Sequence, residues 1–107
     1  MVTIDDFVKL DIRTIKVLEA TRMEGSEKLL KLSVDIGGET LQILSGIGKS
    51  YEPEDIVGKS LVAIVNLEPR IMMGEESQGM ILATGEDLDN IVLLIPEKEV
   101  LPGSRIK

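Results

Sequence analysis

A chain of 107 residues, 43% of them hydrophobic and 29% charged, is long enough for one compact domain and too short for two. The absence of cysteine and histidine excludes disulfides, a Cys/His zinc site, a thiol nucleophile and a Ser-His-Asp triad, so an enzyme here would depend on carboxylate or lysine chemistry. The net charge of −7 counts against a polyanion partner, but it is unevenly spread: Phe7 to Lys31 carries six cations against four anions, and Ile71 to Glu99 one against seven.

Thr3-Ile4-Asp5-Asp6 opens as a short helix, with Thr3 capping and Asp6 in place of a capping-box glutamate. Phe7 is its apolar anchor. From Val8 to about Ala20 the pattern turns to period two, with Leu10, Ile12 and Thr14 on one side. Ile15, Val17 and Leu18 cannot share a face, which predicts a bulge or strong bend near Thr14 and Ile15. Arg22 to Lys28 is a polar loop. Leu30, Leu32, Val34 and Ile36 alternate with polar residues as a half-buried strand. Gly37-Gly38 is a hairpin turn into a returning strand through Leu41, Ile43 and Ser45, ended by Gly46-Ile47-Gly48.

Glu52 to Gly58 predicts one helical turn, with Pro53 at its first position and Gly58 just past its end. Leu61 to Leu67 is a buried strand stopped by Pro69. Ile71 to Ser77 is a loop, Gly79 to Thr84 a strand, Gly85 to Asn90 an acidic turn and Ile91 to Ile95 a sixth strand candidate, ended by Pro96. Twenty-two isoleucines and valines against three alanines tilt the class toward β. Five or six strands with one small helix between the third and fourth fit a five-stranded oligonucleotide-binding (OB) barrel, or another small β-barrel. No run is long enough to span a membrane. The first 20 residues, with Asp5, Asp6, Asp11 and Glu19, do not read as a signal peptide, which makes the cytoplasm the expected location. No metal site and no cofactor are expected.

Asn66 to Met80 concentrates donors suited to phosphate or base edges (Asn66, Arg70, Ser77, Gln78) and three of the five methionines. A polar loop over a core edge, with methionines filling gaps, accounts for the same composition. Met72-Met73, between Pro69 and Gly74, is expected to be partly exposed. Arg13 lies on a strand, and Lys28 and Lys31 flank a loop-to-strand junction; a solvated outer face accounts for each singly. Only Phe7 and Tyr51 are aromatic, too few for a base-stacking platform. An RNA ligand would therefore be held by phosphate contacts and shape.

Asp11-Ile12-Arg13, Val34-Asp35-Ile36-Gly37, Ser45-Gly46-Ile47, Asn66-Leu67-Glu68-Pro69-Arg70 and Glu76-Ser77-Gln78-Gly79-Met80-Ile81-Leu82-Ala83 together resemble the tRNA-binding-domain family, from about Phe7 to Ile106. The stretch from Pro96 to Val100 resembles its methionyl-tRNA synthetase β-subunit type; a related branch is proposed as export chaperones. The resemblance implies an all-β fold over residues 1–107, an OB barrel whose N- and C-terminal extensions form a homodimer. It also implies shape-directed tRNA binding without catalysis, as an accessory to a separate synthetase chain. Carried over, the tRNA contacts are Arg13, Lys28, Lys31, Asn66, Arg70, Ser77, Gln78 and Met80. The apolar tail residues Val100, Leu101 and Ile106, with Phe7, are the expected dimer surface. The competing expectation is a chaperone or protein-interaction module that holds apolar segments on Ile71, Met72, Met73 and Met80.

Overall fold

In the computed structural model, which describes residues 1–107, the alternating apolar pattern closes into a nearly complete five-stranded antiparallel barrel. Its strands are β1 (Ile12–Arg22), β2 (Leu30–Asp35), β3 (Thr40–Ser45), β4 (Ser60–Ile64) and, after the short ribbon β5 (Arg70–Met72) and β6 (Glu75–Ser77), β7 (Met80–Ile81). The order across the sheet is β3-β2-β1-β4-β7. A small ribbon of β8 (Ala83–Thr84) and β9 (Val92–Leu93) follows. Two short helices, α1 (Ile4–Val8) and α2 (Pro53–Ile56), complete the elements. Neither is long and apolar enough to cross a membrane.

α1 forms as the capping pattern predicts. The Asp6 amide donates to Thr3 Oγ1 at 3.2 Å, and the Thr3 amide donates to Asp6 Oδ2 at 3.1 Å. The Thr3 amide, and after it the Thr3 hydroxyl, hold the Asp6 carboxyl below its usual range.

The core is the inward rows of the barrel. Ile15, Val17, Leu30, Leu32, Val34, Ile43 and Leu61 are almost wholly buried and form its centre, joined by Ile56 of α2. A second cluster lies on the outer side of β1 and β4, where Phe7, Leu82 and Ile106 cover Ile12, Val62 and Ile64. Phe7 and Ile106 thus meet on one patch within a single subunit. The C-terminal segment reaches it by pairing along β1: the Thr14 amide donates to Ser104 O, and the Ile106 amide to Ile12 O.

This second layer corrects the predicted bulge. Thr14 and Ile15 are both buried because the barrel interior takes one and the C-terminal strap covers the other. Pairing of β1 with β4 runs in unbroken register from Ile12 with Ile64 to Lys16 with Ser60. The bulge falls instead between Val17 and Glu19, leaving Leu18 exposed. β1 also starts four residues later than expected, at Ile12, because α1 and its exit take up residues through Leu10.

Three further expectations change. Residues 71–77 are a β-hairpin rather than a loop, turning at Met73-Gly74 with φ of 51° and 81°. The predicted strand over residues 79–84 divides at Leu82 into β7 and β8, since its first half pairs with β4 and its second with β9. The buried run of residues 61–67 leaves the sheet after Ile64.

Candidate nucleic-acid interface

The β5–β6 hairpin lies on the outer side of β3, and side-chain oxygens make much of that joint. Ser77 Oγ, itself buried, accepts the Leu44 amide at 3.0 Å and donates to Gly79 O at 3.1 Å. Gln78 Oε1 accepts the Gln42 amide, and the Gln78 amide donates to Gln42 O, both at 2.8 Å. The chain then dives between β3 and β4 at Gly79, where a Cβ would lie 2.8 Å from Ile64 O and 3.1 Å from the Ile43 side chain. The sequence needs Ser, Gln and Gly here in order to close the barrel.

This closure forms an open cleft. Leu44, Ser45 and Gly46 line one wall; Arg70, Met72 and Ser77 of the hairpin line the other; Leu67, Glu68 and Met80 complete it. Arg70 sits opposite Ser77 in the ribbon, is exposed and has no ion-pair partner. Met80 is exposed, as are Ile71 and Met73 nearby in the chain, so the expectation that Met73 is accessible holds. Met72 is half-buried.

Beside the cleft, Lys31 on β2 pairs in register with Leu44 and therefore projects on the same outer face. Its Nζ lies 3.4 Å from Glu75 Oε2. Gln42 Nε2 donates to the other Glu75 oxygen at 3.2 Å and to Glu76 O at 2.9 Å. Lys28, in the loop before β2, is exposed and free of ion pairs, while its carbonyl accepts the Gly48 amide. Lys31, Arg70, Ser77, Gln78 and Met80 are thus brought to one side of the barrel.

Arg13 and Asn66 are placed differently. Arg13 makes a two-pronged pair with Asp11 (Nε to Oδ1 at 2.9 Å, Nη2 to Oδ2 at 2.7 Å), and its Nη1 donates to Ile36 O at 3.0 Å. The pair holds the Asp11 carboxyl below the usual carboxylate range and raises the Arg13 guanidinium above its own. Asn66 Oδ1 accepts the Asp11 amide and its Nδ2 donates to Lys9 O, both at 2.8 Å. Asn66 thereby tethers the exit of α1 to the loop that carries Leu67 and Glu68 into the cleft.

Sequence reasoning missed two cations. Arg105 bridges to Arg13 across the strap and lies 3.9 Å from Asp11, adding positive charge at that end. Arg22 Nη1 donates to Glu27 O and Gly48 O, and its Nη2 pairs with Glu52, so it fixes the loop carrying Lys28. Neither has a local sequence pattern that marks it, since Arg105 meets Asp11 and Arg22 meets Gly48 and Glu52 from distant parts of the chain. No group of acidic side chains is arranged to hold a metal ion.

Residues 12–105 match the family model described as "Putative tRNA binding domain". The chain is 49% identical over 106 residues to the methionine–tRNA ligase of Clostridium perfringens; the match covers 99% of this chain and 16% of the ligase. It therefore spans about one sixth of the length of that relative. Among solved structures it is similar to a MetRS-related protein from Pyrococcus horikoshii, with a TM-score of 0.93 and 33% identity over 100% of this chain and 98% of that one. It is also similar to the chaperone CsaA from Bacillus anthracis, with a TM-score of 0.90 and 31% identity over 100% and 99%. A barrel of this topology, matched along nearly its whole length by a family model and by relatives of this identity, belongs to the tRNA-binding-domain family.

Proposed function

We propose that this chain is a single-domain, non-catalytic tRNA-binding module that reads overall shape and the phosphate backbone and supports a methionyl-tRNA synthetase in the cytoplasm as an accessory of the β-subunit type. The observation that carries the reading is the cleft beside β3, where Arg70, without an ion-pair partner, stands among hydrogen-bonding and apolar side chains and one carboxylate, Glu68. Lys28, Lys31, Arg70 and Met80 make the contacts. Ser77 and Gln78 shape the wall, and Arg13 and Asn66 hold the elements behind it. Two copies joined through the terminal segments, where Val100 and Leu101 are exposed, double the cationic surface. With about four cations on one tRNA, log affinity falls with log salt at a slope of roughly −3 to −4. Tethering tRNA near a synthetase raises its effective concentration without any new chemistry.

The test is a gel shift with bulk tRNA at low salt and at about 0.3 M salt, with the native chain and Arg70→Glu. Retardation that salt and the substitution both weaken, across all tRNAs alike, supports the reading. Absence of any shift at low salt overturns it.

A second reading is a chaperone-like module. The exposed Ile71, Met73 and Met80 around the same hairpin favour it, together with the likeness to a CsaA chaperone. Salt-insensitive capture of apolar peptides, without a tRNA shift, is the outcome that selects it.

A further inference from the structure

Beside the cleft, the outer-face cation Lys31 carries its own counter-ion, Glu75. Glu75 is positioned by three contacts: its register opposite Met72 in the hairpin, the bond from Gln42 Nε2 to Oε1 at 3.2 Å, and the approach of Lys31 Nζ to Oε2 at 3.4 Å. Gln42 is in turn fixed by Gln78 and by Glu76 O. The carboxylate is therefore held by a half-buried amide as well as by Lys31, and keeps the Gln42 bond if Lys31 leaves. The side chains of Lys31 and Glu75 are 36% and 39% exposed, so the pair is open to an incoming anion.

From this arrangement we infer that Glu75 is an internal competitor of phosphate for Lys31, and so sets the tRNA affinity of this domain. The inference rests on the tRNA-binding reading above. A backbone phosphate that takes the Lys31 ammonium competes with Glu75 for it, and the carboxylate stays beside the bound phosphate because Gln42 keeps hold of it. Binding is thus opposed twice, by the pair that is broken and by the like charge left beside the phosphate. A half-exposed pair is weak enough to be displaced, and the residual repulsion is of similar size at the separations of a surface cleft. Removing the Glu75 charge is expected to tighten tRNA binding by about five- to tenfold at low salt.

The experiment measures bulk tRNA binding by filter retention for the native chain, Glu75→Gln, Lys31→Gln and the double variant. Glutamine keeps an acceptor for Gln42, and circular dichroism checks that each variant is folded. The expected result is a gain on Glu75→Gln that largely disappears when Lys31 is also Gln. Equal affinity of native chain and Glu75→Gln overturns the inference and leaves the tRNA reading standing. A gain that persists undiminished without Lys31 also overturns it, since overall charge would then be the cause. Binding by neither native chain nor Glu75→Gln overturns both. Binding by Glu75→Gln alone supports the competition while overturning tRNA binding by the native chain.

Discussion

Gly37 and Gly103 pack backbone against backbone. A Cβ on Gly103 would lie 2.7 Å from Gly37 Cα and 2.8 Å from Ile36 O, and both residues have positive φ, 107° and 89°. The contact seats the C-terminal strap on the turn between β2 and β3. From there the Gly103 amide reaches Thr14 O at 2.7 Å, and the strap runs on to Arg105 and Ile106.

Gly103→Ala should therefore cost stability twice, through the left-handed backbone at about 1–2 kcal/mol and through the clash. A total loss of roughly 2–4 kcal/mol is expected, read as a lower urea midpoint. Gly38→Ala is the comparison: its φ is also positive, at 94°, but no atom lies within 4 Å of an added Cβ, so only the backbone cost remains. Equal losses in the two variants would show that the strap does not press on the turn in solution.

Ser77 is expected to matter to folding before it matters to a ligand. Its hydroxyl is buried and fully used, accepting the Leu44 amide and donating to Gly79 O. Ser77→Ala strands both backbone groups, at about 1–3 kcal/mol for each unsatisfied partner. Thermal denaturation should show a loss of about 2–6 kcal/mol, while tRNA affinity of the folded fraction stays within about twofold. Native-like stability with lost binding would instead place the hydroxyl in contact with RNA.

Local patterns were legible in the sequence, and long-range contacts were not. Strand β2 and the Gly37-Gly38 turn were readable because a half-buried strand and a two-residue turn are local patterns, and Leu30, Leu32 and Val34 do face inward. Of the residues that meet at the cleft, Arg70, Ser77 and Met80 were nameable from their motifs. Their division of labour was not, because what occupies Ser77, Gln78 or Asn66 is a backbone group more than thirty residues away in the chain. Thr14 and Ile15 misled for a related reason: alternation assumes one covered face, and here the C-terminal strap covers the second. The hairpin over residues 71–77 was hidden by its turn, since Met73 is a residue type that seldom takes positive φ.

The Asp11–Arg13 pair should appear in the acid limb of the stability curve. Arg13 holds the Asp11 carboxyl below its ordinary 3.8. A depressed folded value adds stability that is fully present above the unfolded value and is lost as pH falls through the folded one. Asp11→Asn should thus be less stable than the native chain by about 1 kcal/mol at pH 7. The gap should narrow only below about pH 3.8, as the native carboxyl takes up its proton. Urea titrations of both proteins from pH 7 to pH 2.5 would measure it; a gap that closes already between pH 6 and pH 5 would mean that another group carries the dependence.

Met73 offers a stabilising change. It takes φ of 51° at the first turn position of the β5–β6 hairpin, followed by Gly74 at 81°. Two-residue turns with both central φ positive favour Asn-Gly, because asparagine tolerates the left-handed region better than an unbranched apolar side chain does. Met73 is 55% exposed, and its methyl approaches the position of a Cβ on Gly25 at 3.5 Å, so little buried area is given up by replacing it. Met73→Asn should therefore raise stability by about 0.5–1 kcal/mol. A higher Tm at unchanged tRNA affinity is the expected result. A lower Tm would mean that the contact with Gly25 outweighs the backbone strain. Lost peptide capture with intact tRNA binding would assign Met73 to the chaperone-like surface.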